Sequence, residues 1–134
     1  MKRRKYRLEY AHELLRLADA DLFAANAVFN AGGRVENACF YYQQAVEKAL
    51  KSVLVHQEIE IPSVHDLSVL LALLPVTALP CPFEHELPEL NIYAAQRRYE
   101  EGPTPATQSD GLEAQSMCNA VLNWAQNLVQ TPKL

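Results

Sequence analysis

The chain has 134 residues, of which 49% are hydrophobic and 21% are charged, and its formal net charge is −4. This length allows one domain with a single core, and the composition is ordinary for a folded protein. No run of about 18 apolar residues is present, so we expect no membrane span. The opening MKRRKYRLEY is basic, but no apolar stretch follows it. We therefore expect no secretory signal and a cytoplasmic location.

Charge is unevenly spread along the chain. Five of the twelve basic residues lie within the first seven positions, which leaves seven bases against all sixteen acids, or −9, in the remainder. An acidic body repels phosphate backbones over a broad surface, so any contact with nucleic acid would have to be local. We interpret residues 1–6 as a basic N-terminal tail of one domain that spans residues 1–134, because chain termini are frequently frayed.

The sequence contains few signals for chemistry at a metal, a cofactor or a nucleophile. Its three cysteines are odd in number, far apart and in no CxxC pair, which favours reduced thiols over a disulfide framework or a zinc site. The four histidines are scattered, without the spacing of metal ligands. No glycine-rich phosphate loop or nucleophile signature occurs. We therefore expect no cofactor and no metal, and we assign no catalytic residue.

Helical periodicity dominates the first half of the chain. Residues 6–30 are predicted to form an amphipathic helix that ends at Gly32-Gly33, because apolar residues recur every three or four positions. The apolar face of this helix contains Leu8, Ala11, Leu15, Ala18, Leu22, Ala25 and Phe29. A second helix is predicted over residues 35–57. Its buried side is predicted to consist of Tyr42, Val46, Ala49, Leu50, Val53 and Leu54.

The second half of the chain predicts shorter helices around a proline-rich connection. A third helix is predicted to open at PSVHDL, with Ser63 as its N-cap and Asp66 bonding back to it. Three prolines between residues 75 and 82 then predict an extended connection, and residues 84–99 predict a fourth helix. Thr107 and Asp110 offer a capping signal for the last helix. No segment alternates with a period of two, so we predict an all-α, up-and-down bundle of four to five helices.

A polar stripe follows the second helix. Gln44, Lys48 and Lys51 lie four and three positions apart, so they share one face. Glu47 precedes Lys51 by four residues, the favourable order for a helical ion pair. One interpretation is a solvated helix face with one such pair. The other is a polar groove in which the lysines meet a phosphate or an acidic partner and Gln44 hydrogen-bonds a base or backbone.

Arg97-Arg98-Tyr99 is the second candidate site, just before a loop that contains Pro and Gly. Arginine forks bind phosphate or carboxylate with two donors, and a neighbouring tyrosine can stack on a base. Alternatively, one arginine caps the preceding helix and pairs with a glutamate while Tyr99 packs inward. His65 is predicted to lie in the first turn of the third helix, with no partner evident from the sequence.

FYYQQAVEKALKSVLV, followed by HDL and later by RRY before a Pro-containing loop and a last long helix, resembles the HEPN domains. The sequence is most similar to the stand-alone prokaryotic HEPN proteins, and the resemblance covers about residues 15–128. This resemblance implies a helical bundle that commonly dimerises and is often encoded beside a minimal nucleotidyltransferase, sometimes as a toxin–antitoxin pair. Many HEPN proteins are metal-independent RNases with an Arg-x4-6-His motif late in the fold.

The RNase motif is missing where the resemblance would place it. No histidine follows Arg97 or Arg98, and the literal match from Arg7 to His12 lies in the first helix. We therefore expect a non-catalytic, homodimeric binding protein that pairs with a minimal nucleotidyltransferase and contacts a nucleotide or RNA. The residues assigned to that contact are Gln44, Lys48, Lys51, Arg97, Arg98 and Tyr99. The alternatives are an RNase toxin with an atypical active site and a purely structural interaction module.

Overall fold

The computed structural model describes residues 2–95 and 105–130. This part of the chain contains five helices and two short 3₁₀ segments, at Val76–Ala78 and Leu87–Leu90, and no strand. The helices are α1 (Lys2–Asn30), α2 (Val35–His56), α3 (Leu67–Ala72), α4 (Asn91–Ala95) and α5 (Gln108–Gln130). The predicted all-α helical bundle is confirmed.

The central element of the bundle is α2, since 14 of its 22 residues are buried. The helices α1 and α5 pack against it, and α3, α4 and the second 3₁₀ segment contact it from the connection between residues 57 and 107. The six apolar residues predicted for its buried side are all fully buried. This helix supplies ten of the 30 buried hydrophobic residues of the described chain. Burial of a leucine such as Leu50 or Leu54 contributes about 1.5–3 kcal/mol.

Two side-chain hydrogen bonds fix α1 and α2 as antiparallel neighbours. Near one end, Tyr42 Oη donates to Asn26 Oδ1 at 2.6 Å; near the other, Ser52 Oγ donates to the Ala11 carbonyl at 2.7 Å. The reversal between the helices uses Gly32 at φ +79°, a conformation that side chains with a Cβ rarely adopt. The predicted end of the first helix is thereby confirmed.

The last helix, α5, lies antiparallel to α1 and therefore parallel to α2. Gln115 Nε2 donates to Asn26 Oδ1 at 2.8 Å, and eleven residues later Gln126 Nε2 donates to Asp19 Oδ1 at 3.1 Å. Because two parallel helices cannot be joined by a short turn, the chain between residues 57 and 107 must return to the starting end of α2. This long return path brings α3 and α4 against the central helix.

The helix boundaries differ from the prediction at three places. The helix α1 already begins at Lys2, so most of the predicted basic tail belongs to a helix. The N-cap of α3 is Asp66, whose carboxylate accepts from Ser68 N at 2.9 Å, so the cap predicted at Ser63 is wrong. The predicted helix over residues 84–99 is replaced, as far as residue 95, by a turn, a 3₁₀ segment and α4, because Pro88 has no N–H for an α-helical bond.

The predicted capping signal of the last helix is confirmed. Asp110 N donates to Thr107 Oγ1 at 3.1 Å, and Thr107 N donates back to Asp110 Oδ2 at 2.8 Å. We expect Thr107→Ala to lower the free energy of unfolding by about 1 kcal/mol, because the backbone N–H of Asp110 loses its acceptor. Urea denaturation measures this change. Thr107→Ser serves as the control, since a serine hydroxyl should retain most of the stability, and equal losses in both variants would contradict the capping role.

Candidate functional site

The polar stripe predicted on α2 does not form an outward-facing helix surface. Gln44, Lys48 and Lys51 are only half-buried, but their neighbours Gln43 and Glu47 are 0% and 4% exposed. The interpretation as an ordinary solvated face is therefore wrong, because α1 packs against α2 and His65, in the chain before α3, contacts Gln43 and Glu47. We define the α2 polar cluster as Asp21, Gln43, Gln44, Glu47, Lys48, Lys51 and His65.

Glu47 is the buried anion of the α2 polar cluster. Lys51 Nζ donates to Glu47 Oε2 at 3.0 Å, which confirms the predicted ion pair. The second partner, His65, places Nδ1 at 3.0 Å from Glu47 Oε1. A carboxylate only accepts hydrogen bonds, so Nδ1 of this ring must carry the proton. The His65 side chain is 75% exposed, which leaves Nε2 available to solvent or a ligand.

The backbone at His65 is fixed by a buried amide. Gln43 is 0% exposed, and its Nε2 donates to the His65 carbonyl at 3.1 Å. Its Oε1 accepts from Gln44 Nε2 at 2.7 Å, so both ends of this amide have a partner. Buried polar groups of this kind are costly unless they are satisfied, and the arrangement therefore specifies where the His65 ring sits. His65 precedes α3 and does not lie in its first turn as predicted.

The residue after His65 ties the same segment to α4. Asp66 Oδ1 accepts from Asn91 Nδ2 at 2.8 Å, and Asn91 Oδ1 accepts from Leu67 N at 3.0 Å. Hydrogen bonds from the side chain and backbone of Ser68 hold the pKa of the Asp66 carboxyl below its usual value. The imidazole of His65 is consequently presented by a segment that both α2 and α4 hold in place.

The two lysines of the α2 polar cluster are both paired with carboxylates. Lys48 Nζ donates to the Asp21 carboxylate on α1, and Lys51 donates to Glu47. Two cations and two anions sum to a formal charge of zero. The sequence suggests two lysines ready for a phosphate, whereas the structure gives each of them a protein partner already.

Arg97, Arg98 and Tyr99 lie outside the described residues. In the sequence they begin two positions after α4 ends at Ala95. The first residue of α4, Asn91, contacts Asp66 beside His65. The expectation that these three residues lie beside Lys48 and Lys51 stays a prediction.

The cysteines do not offer a nucleophile. All three are buried and form no disulfide. Desolvation raises the pKa of the Cys39 thiol to about 11 and that of Cys81 to about 12, and it raises the pKa of Cys118 as well. Such thiols stay protonated at neutral pH. In the described part of the chain, no group of three or more His, Cys, Asp or Glu residues could hold a metal ion.

A separate cavity of about 350 Å³ opens between α5 and the chain around the second 3₁₀ segment. Its lining includes three glutamates and one aromatic ring, and three of its residues lie on α5: Phe83, Glu86, Glu89, Glu113, Ser116 and Met117. The three carboxylates would repel a phosphate, so this cavity is a poor candidate for nucleotide or RNA binding.

A search of the described helices for a membrane-spanning segment found none with the length and apolar character that crossing a bilayer requires.

Comparison with known proteins agrees with this architecture. ST0689, an archaeal HEPN homologue, is 26% identical with a TM-score of 0.72, over 90% of this chain and 98% of its own. TT1696 from Thermus thermophilus has the same TM-score of 0.72 at 24% identity, over 88% and 97% of the two chains, and supports the fold alone. No curated protein matches significantly. The HEPN domain family model matches residues 11–128, so the chain belongs to the HEPN domain family.

Proposed function

We propose that this HEPN-family chain acts by binding and not by catalysis. It forms a homodimer and pairs with a minimal nucleotidyltransferase of the toxin–antitoxin type in the cytoplasm. One observation carries this proposal: the chain belongs to the family, yet no histidine follows Arg98 to complete the late Arg-x4-6-His motif. General acid–base cleavage of RNA at that position needs a proton-transfer group, such as the imidazole of the missing histidine, within hydrogen-bond reach of the reacting atoms.

The ligand contact in this proposal is a nucleotide or RNA held by Gln44, Lys48, Lys51, Arg97, Arg98 and Tyr99. Support comes from the α2 polar cluster, where amide, ammonium and imidazole groups are held in place by buried partners. Its two lysines are neutralised by Asp21 and Glu47, so Arg97 and Arg98 supply the added positive charge that a phosphate requires. Tyr99 supplies an aromatic face on which a base can stack.

Replacing both Arg97 and Arg98 with alanine tests the ligand contact. We expect hexauridylate RNA to bind at least about tenfold more weakly in low salt, because two phosphate contacts are lost. Isothermal titration calorimetry gives the affinity. The control is Arg16→Ala, since this exposed arginine pairs with Glu13 on α1 and its loss should leave RNA affinity unchanged.

The same assay separates the alternatives. Equal affinity in the double variant and in Arg16→Ala would contradict the assigned contact. Metal-free cleavage of the RNA that disappears in Arg97→Ala would support the RNase alternative. If neither RNA nor a mononucleotide binds, a purely structural interaction module becomes the better account.

Purification of the chain from its native host tests the partner. We expect a protein with a minimal nucleotidyltransferase sequence to co-purify at a fixed stoichiometry, and size-exclusion chromatography with light scattering to give a dimer for the chain alone. Failure to recover a nucleotidyltransferase would contradict the proposed partner. A monomeric chain in light scattering would contradict the proposed homodimer.

A further inference from the structure

The charge of the α2 polar cluster depends on one group. Lys48 is paired with Asp21, and Lys51 with Glu47, so these four side chains contribute no net charge. His65 is the remaining titratable member. The cluster is therefore neutral when the imidazole is neutral and carries one positive charge when it is protonated.

The geometry around His65 determines which of its nitrogens can meet a ligand. Glu47 is 4% exposed, and its two oxygens lie 3.0 and 3.2 Å from Nδ1. The ring is thus oriented by a fixed carboxylate while most of its side-chain surface, 75%, faces outward. Protonation adds a hydrogen at Nε2, which converts the outward nitrogen from an acceptor into a charged donor.

We propose that His65, through the Nε2–H of its protonated ring, makes the phosphate contact of the α2 polar cluster, so that binding is proton-linked. This inference rests on the proposed function, since it names the group through which the nucleotide or RNA is held. The lysines pair with carboxylates, whereas the imidazolium has a donor to spare. A hydrogen bond from a charged donor to a phosphate is about twice as strong as one between neutral groups.

The groups around the ring fix the sign of the pH dependence. Glu47 contacts the ring from α2, and Lys51 pairs with the same carboxylate. Asp66 is the neighbour of His65 in the chain and pairs with the uncharged Asn91 of α4. A bound phosphate stabilises the imidazolium, because an opposite charge nearby favours the charged form of the ring. Imidazole side chains take up a proton as the pH falls from about 8 to 5. Binding must therefore strengthen as the pH falls, because the bound state holds the extra proton.

Calorimetric titration of hexauridylate at pH 8 and pH 6 tests the proposal. Its phosphodiesters do not titrate in this range, so a pH effect belongs to the protein. We expect about fivefold tighter binding at pH 6, and we expect His65→Gln to abolish that difference. The glutamine can still donate to Glu47 but cannot be protonated. His85→Gln is the control, because His85 is an exposed imidazole, 3.7 Å from Glu84, and should retain the pH dependence.

Each outcome bears on a distinct claim. Equal wild-type affinity at both pH values, or a pH dependence that survives in His65→Gln, overturns the role of His65 and leaves RNA binding intact. No binding at either pH overturns both the role and the proposed ligand. NMR of the His65 ring protons provides a second readout: RNA should shift their titration midpoint to higher pH, and an unchanged midpoint contradicts the contact.

Discussion

Glu47→Ala is expected to lower the free energy of unfolding by about 2–3 kcal/mol. Removing one partner of a fully buried ion pair costs about 3–5 kcal/mol, because the remaining charge is left uncompensated. The remaining partner here is Lys51, whose side chain is 14% exposed and keeps a small part of its hydration. His65 loses its acceptor as well, but its exposed ring can turn to water. Urea denaturation followed by circular dichroism measures the loss.

A matched control exists on α1. Glu13 pairs with Arg16 three residues along the helix, and the two side chains are 46% and 70% exposed, far more than Glu47 and Lys51. Glu13→Ala should therefore cost no more than about 0.5 kcal/mol. A second control, Glu47→Gln combined with Lys51→Met, removes both charges and should recover much of the stability. If Glu47→Ala costs no more than Glu13→Ala, the α2 polar cluster is not an organised buried network.

Gly111→Ala is expected to destabilise the protein by about 2 kcal/mol, although it replaces a helical glycine. Helix propensity alone would favour alanine by about 0.5–1 kcal/mol. The added Cβ, however, would lie 2.3 Å from Phe29 Cε1 and 2.7 Å from Cζ, closer than real contacts allow. Phe29 is 6% exposed and packs edge-to-face on Tyr42, so its ring has little room to move. Overpacking of this kind costs about 3 kcal/mol at its upper range and outweighs propensity.

The steric explanation predicts a rescue. Combining Gly111→Ala with Phe29→Leu removes the ring atoms that the new methyl group would meet. The loss of unfolding free energy in the double variant should be smaller than the sum of the two single losses by at least about 1 kcal/mol, because substitutions at contacting residues are not additive. Additive losses in urea denaturation would show that Gly111 is required for another reason.

The fold could be read from the sequence where helical periodicity was long and unbroken. All six apolar positions predicted for α2 are fully buried, and the boundary at Gly32 and the cap at Thr107 also agree. Short elements were harder, because one residue decides them. Pro88 blocks a continuous α-helix within residues 84–95, and Asp66 is the N-cap of α3 in place of Ser63.

The site could be predicted only in part, because its contacts are not local. The pair of Glu47 and Lys51 follows from their spacing of four residues, but the contact between Glu47 and His65 joins positions 18 apart. Lys48 and Asp21 are 27 residues apart and lie on different helices. No helical period indicates such partners. From the sequence His65 had no evident partner, and only the return of the chain onto α2 shows that Glu47 holds it.

The stripe on α2 illustrates a related limit. A row of Gln, Glu and Lys on one helix ordinarily indicates contact with water. That inference fails for a helix that is packed on several sides, since its polar face must then find protein partners. Burial of Gln43 and Glu47 is a property of the whole bundle and cannot be read from α2 alone.

The central claim is that this chain binds RNA or a nucleotide through the α2 polar cluster. The most direct measurement is a titration of the ¹⁵N-labelled protein with hexauridylate, followed in its amide and side-chain NH spectra. The account predicts saturable shifts at Gln43, Gln44, Lys48, Lys51 and His65, with Asn119 and Asn123 on α5 unaffected. A spectrum that does not change, or shifts confined to α5, would contradict it.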